Sequence, residues 1–94
     1  MERLTKKTQD GESYFLEKEK VKEGFPGFTG EAVEKLARFE DFYDELQASQ
    51  DTIAMELEKL RSEGKEKSTK FRELFTKKLM NNSILIQLKS YGLE

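Results

Sequence analysis

The sequence predicts a mainly α protein. It comprises one long coiled-coil-like helix over about residues 30–63, one or two shorter C-terminal helices over about 66–80 and 83–91, and a short N-terminal β-hairpin or flexible arm. Three observations predict this. Apolar residues step by alternating threes and fours from Leu36 to Leu60, with no Pro or Gly between them. A second helical pattern follows Gly64. The opening residues carry neither period and place an Asp-Gly between two β-prone runs. The chain accordingly divides into 1–30, the hairpin or arm with a Phe/Gly/Pro turn, and 31–94, the helical coiled-coil domain.

The hairpin expectation rests on Asp10-Gly11, flanked by Leu4-Thr5-Lys6-Lys7-Thr8 and Ser13-Tyr14-Phe15-Leu16. Asp-Gly suits a tight turn because Gly tolerates positive φ. Alternation stops at Leu16, and the polar Glu17-Lys18-Glu19-Lys20 fits an extended tail equally well. Pro26-Gly27 then suits the centre of a type II turn. Thr29 reads as the N-cap of the long helix, with Glu31 facing the positive end of its dipole. Phe28 before that cap and Val33 at the fourth helical position form a hydrophobic-staple pattern, whereas Phe25 has no such packing reason and reads as a surface anchor.

The long helix carries a heptad seam of Leu36, Phe39, Tyr43, Leu46, Gln50, Ile53, Leu57 and Leu60. Gln50 is its single polar member, a device that commonly fixes register or partner number. Phe42 widens the seam in its first half. Thirty-three helical residues span roughly 50 Å, against a radius of gyration near roughly 13 Å for a compact chain of this size. The helix therefore looks too long to be covered by the rest of the chain, and the expectation is a homodimer closed along this seam. Gly64 ends the helix, although an uninterrupted helix costs only about 1 kcal/mol. Phe71, Leu74, Phe75 and Leu79 then repeat at helical spacing, and Asn81-Asn82-Ser83 reads as a stop and new cap. For the last segment, Ile84/Leu88/Tyr91 fits a helix and Ile84/Ile86/Leu88 a strand; the preceding helices and Gly92 favour a helix.

Composition restricts the chemistry. Charged residues make up 38% and apolar residues 35%, with no Cys, His or Trp. That excludes disulfides, His/Cys metal sites and every Ser-His or Cys-His nucleophile arrangement. No apolar run approaches a membrane span. No cofactor or metal is expected, and the chain reads as a soluble, intracellular, non-enzymatic protein with no membrane partner.

The net charge of −2 hides a division. Residues 1–30 are balanced, residues 31–63 carry ten acidic against four basic side chains, and residues 64–94 carry seven basic against three acidic. Glu40, Asp41, Asp44 and Glu45 form two i,i+4 carboxylate columns and are a candidate partner-binding acidic face. A di-metal site needs facing carboxylates from a second helix, and the basic segment supplies only Glu73. Lys65, Lys67, Lys70, Arg72, Lys77 and Lys78 form a candidate basic patch. Phe71 among them is in phase with Leu74 and Phe75 and reads as core rather than as a base-stacking platform. A sequence pI near 5.4 makes nucleic acid the lesser partner expectation.

Met1-Glu2-Arg3-Leu4-Thr5-Lys6-Lys7 with Asp10-Gly11, and Ala32-Val33-Glu34-Lys35-Leu36-Ala37-Arg38-Phe39-Glu40-Asp41, resemble segments of short uncharacterised phage and prophage proteins of Gram-positive bacteria. Those typically open Met-Glu-Arg-Leu-Thr and carry a Leu-Ala-x-Tyr-Glu-Asp motif, where this chain has Phe39 for the Tyr. Glu56–Lys65 and Lys89–Leu93 are similar to one subgroup. The resemblance implies a phage-encoded accessory protein acting in the bacterial host cytoplasm. Together with the charge pattern, it leads to the expectation of a protein that blocks or modulates a host nucleic-acid-handling or anti-phage defence protein, for example as an anti-CRISPR inhibitor. A structural coiled-coil protein of the phage, or a nucleic-acid accessory using the basic patch, are the alternatives.

Overall fold

Asp10 organises the first turn of the chain. Its carboxylate accepts from the Thr8 hydroxyl at 2.6 Å and from the Glu12 amide at 3.0 Å, so Thr8, and then the Glu12 amide, hold its pKa below the ordinary value. Gly11 takes φ +73, and the Thr8 amide donates to the Ser13 carbonyl at 2.9 Å. The turn joins β1 (Thr5–Lys7) and β2 (Tyr14–Leu16) in an antiparallel pair with Thr5 opposite Leu16 and Lys7 opposite Tyr14. The computed structural model describes residues 1–94, and in it residues 5–16 form a hairpin rather than a loose arm. A 3-10 turn, Lys18–Lys20, follows. Then come α1 (Glu31–Ser62, 32 residues) and α2 (Thr69–Ser90, 22 residues), so the chain is mostly helical.

Two compact units divide the chain at Asp41/Phe42, within α1. In the first, Met1–Asp41, a Lys22–Thr29 bridge closes the loop before α1, with paired backbone bonds of 2.7 and 2.8 Å. That bridge corrects the expected helix entry. Thr29 is bridge-bound extended backbone, and Gly30 takes the cap position: its carbonyl accepts the Glu34 amide at 3.0 Å. The φ of +115 and a Cβ position 2.9 Å from the Lys20 carbonyl explain why glycine stands there. The staple fails for the same reason. With Gly30 as cap, Phe28 and Val33 fall out of its register, and Phe28 stays exposed. The type II turn is also absent, since Gly27 lacks positive φ.

The second unit, Phe42–Glu94, is an antiparallel helical hairpin. Its inter-helix loop begins with a Schellman motif, in which the Lys65 amide donates to the Leu60 carbonyl, the Gly64 amide to Arg61, and Gly64 sits at φ +72. Ser68 caps α2 by accepting the Phe71 amide at 3.1 Å. A second Schellman motif closes α2, with Leu93 donating to Leu88 and Gly92 to Lys89. The core is small: Leu46, Ile53 and Leu57 are the buried apolar residues.

Asn81-Asn82-Ser83 does not stop the helix, so the separate helix expected over 83–91 is the end of one continuous α2. The Asn81 side chain is buried against α1 and donates to the Ser49 hydroxyl at 3.4 Å, so its amide finds a tertiary partner instead of capping a new turn. The inward face of α2 also differs from the expected one. Phe71, Leu74, Lys78, Asn81, Leu85 and Leu88 are its buried or half-buried positions, while Phe75, Leu79, Ile84 and Tyr91 are exposed.

Candidate functional site

In the first unit, Ala32, Lys35, Leu36 and Phe39 recur at i, i+3, i+4 and i+7 and so share one face of α1. Together with Met1, Leu4, Thr5 and Leu16 of the hairpin segment, they line an open apolar groove of about 440 Å³. Lys35 ties the groove to the chain start by donating to the Glu2 carbonyl at 3.1 Å. Arg3 bonds the Thr5 hydroxyl at 3.1 Å and lies 5.5 Å from the centre of the Tyr14 ring. Ion pairs hold the unit's other edges. Lys6 pairs with Glu17, and this hydrogen bond is the main cause that lowers the Glu17 pKa. Lys20 pairs with Glu31 at 3.3 Å, which raises the Lys20 pKa.

The expected seam serves two surfaces. Leu36 is 57% exposed and Phe39 half-buried in the groove of the first unit. In the second unit Leu46, Ile53 and Leu57 are buried, and Tyr43, Gln50 and Leu60 half-buried, within a single chain. Gln50 donates to the Lys78 carbonyl of α2 at 3.1 Å, and its Oε1, also buried, has no partner. The polar seam position therefore ties α1 to α2. The length argument is corrected between Leu46 and Leu57, where the chain covers its own seam. Phe42 is 45% exposed.

All four carboxylates of the acidic face, Glu40, Asp41, Asp44 and Glu45, are exposed, and none takes part in an ion pair. No group of three or more His, Cys, Asp or Glu is placed to hold a metal ion. Of the candidate basic residues, Lys65 and Lys70 line one surface pocket together with Lys59, Glu56 and Glu63. Lys65 pairs with Glu63 at 3.0 Å, which lowers the Glu63 pKa, and lies with Lys67 in the inter-helix loop. Lys70, Arg72 and Lys77 are exposed on α2, whereas Lys78 is half-buried on its inward face. Arg61 caps the opening of the hairpin, its guanidinium 5.4 Å from the centre of the Phe71 ring, which stacks on Phe75 at 6.3 Å.

No protein-family model, curated protein or solved structure matches the chain. No helix is long and apolar enough to cross a membrane.

Two sets of residues escape sequence reasoning. Leu4 and Leu16 join the groove only because the hairpin lies against α1, and neither has a periodic neighbour that marks it. The inward role of Lys78 and Asn81 is hidden because an apolar alternative, Phe75/Leu79, lies on another side of the same helix.

Proposed function

We propose that this chain is a small non-enzymatic binding protein, encoded by a phage and working as a homodimer in the host cytoplasm. It blocks or modulates a host protein that handles nucleic acid, including a defence effector such as a CRISPR nuclease. The observation that carries the reading is the acidic surface of α1: Glu40, Asp41, Asp44 and Glu45 are exposed without cation partners. Such a row of carboxylates offers a basic nucleic-acid cleft the charge it normally receives from phosphates. The resemblance to phage proteins supports the cellular setting. The half-buried position of Lys78 on the inward face of α2 and the pairing of Lys65 with Glu63 leave the basic set less open than the acidic face, which favours a protein over a nucleic-acid partner.

The test is affinity capture from the bacterial host with the wild-type chain and a Glu40/Asp41/Asp44/Glu45→Ala variant, followed by nucleic-acid binding assays on the captured protein. The expected result is a nucleic-acid-handling protein that loses its nucleic acid to the wild-type chain and not to the variant. Equal competition by the variant, or capture of phage structural proteins alone, refutes the reading.

A further inference from the structure

The groove of the first unit has no part in the proposed function. Its lining is mostly apolar, with Leu4 and Phe39 half-buried and Leu16 and Leu36 exposed at 38% and 57%. The charged side chains that line it, Arg3 and Lys35, are both cations. We propose that this groove seats an amphipathic helical segment of another protein. Its apolar side chains lie against Leu4, Leu16, Leu36 and Phe39, and a carboxylate among them reaches Arg3 and Lys35.

Charge selects the chemistry of the occupant. No acidic residue lines the groove. Arg3 is held by the Thr5 hydroxyl at 3.1 Å and by the Tyr14 ring, and Lys35 by the Glu2 backbone carbonyl at 3.1 Å. These partners are all neutral. Neither cation takes part in an ion pair, whereas Lys6 and Lys20 of the same unit pair with Glu17 and Glu31. Arg3 and Lys35 therefore keep their charge and further N–H donors beside an apolar surface. A carboxylate carried on an apolar body is the group that meets both needs, and it suits a guanidinium best.

Shape selects a helix over a free small molecule. Pockets for small ligands bury about 70–90% of the ligand's surface. This groove is open along Leu36 and covers only one side of what lies in it. An amphipathic helix needs no more, because it buries one apolar face and leaves the other in water. The exposed stripe of α2 from a second copy, Phe75, Leu79 and Ile86, fits poorly. Arg72 lies one turn from Phe75 on that stripe, so like charges would meet at Arg3 and Lys35. The inference is independent of the acidic face, since Glu40, Asp41, Asp44 and Glu45 do not line the groove.

The test is selection of a displayed random-peptide library on the full chain, with peptides of about 15 residues so that helices can form. The expected product is a family with apolar residues at helical spacing and Asp or Glu among them. A synthetic peptide of that family is expected to shift the NMR signals of Leu4, Leu16, Leu36 and Phe39 saturably. Its glutamine form binds at least about tenfold more weakly, because a paired charge is lost. In the Arg3→Gln/Lys35→Gln chain that difference falls to near unity. Leu36→Asp abolishes binding. Amide protection at Lys22 and Thr29 confirms that each variant keeps the first unit folded; where Leu36→Asp loses it, Leu36→Ala serves in its place. Absence of such a family, equal binding of the two peptide forms by wild type, or binding retained by the folded Leu36 variant overturns the inference. So does equally tight binding of decanoate, or a wild-type dimer in sedimentation that the Leu36 variant dissolves. A peptide lost with Glu40/Asp41/Asp44/Glu45→Ala sits on the acidic face and also overturns it. Failure of the groove leaves the acidic-face reading to its own test.

Discussion

The two units of this chain are held together by different physics. Met1–Asp41 contains no fully buried residue; hydrogen bonds, positive-φ glycines and ion pairs define it. Phe42–Glu94 contains all the buried side chains, Leu46, Ile53, Leu57 and Asn81. Exposed ion pairs contribute little because water and salt screen them, whereas a fully buried Leu contributes about 1.5–3 kcal/mol. The second unit therefore holds most of the stability, and the first holds its shape through backbone geometry. A groove such as that between hairpin and helix is cheap to reshape for the same reason.

Leu57→Ala bears hardest on this contrast. Leu57 is 1% exposed, and truncation of such a residue costs about 2–5 kcal/mol. Chemical denaturation is expected to show most of that loss in the helical hairpin. A Leu57→Ala chain with an unchanged unfolding midpoint contradicts the assignment of stability to the second unit.

Gly30→Ala probes the first unit at its tightest point. Added to φ +115, the new Cβ meets the Lys20 carbonyl and Val21 Cα at 2.9 and 3.1 Å. Strain of this kind costs about 1–3 kcal/mol. The expected outcome is loss of the Lys22–Thr29 bridge, read by NMR as loss of amide protection at both residues, while the helices stay folded. Protection equal to wild type refutes the geometric account of the first unit.

Acid gives the smallest effect. The Thr8 and Glu12 contacts depress the Asp10 pKa, and Lys6 depresses that of Glu17. Depressed carboxylates stabilise the folded hairpin fully above the ordinary carboxylate range, about 3.9–4.3. That contribution is lost as pH falls through their lower folded values. The Glu12 and Ser13 amide resonances are expected to move toward random-coil positions below that range, before the helical signals change. Simultaneous loss of both sets of signals contradicts independent support of the two units.

What the sequence determined by itself is local. Asp10-Gly11 makes a turn because the carboxylate and a positive-φ glycine meet there; Gly64 ends α1 through a Schellman motif for the same stereochemical reason. The three–four step of α1 marks its buried stripe, since helical periodicity needs no partner to be read. Which partner meets that stripe is not local. Phe71 and Leu74 fit both candidate faces of α2, and the face through Asn81 is the one used, its side chain bonding Ser49 while Gln50 donates to the backbone carbonyl of Lys78 beside it. The Asn81 bond across the hairpin likewise overrode a local stop. Nor could Thr29 reveal that a bridge to Lys22 would claim its backbone and pass the cap to Gly30. Sequence spacing sets where each element begins, ends and turns its apolar side; tertiary contacts decide which face is used, because polar partners must be satisfied where elements meet.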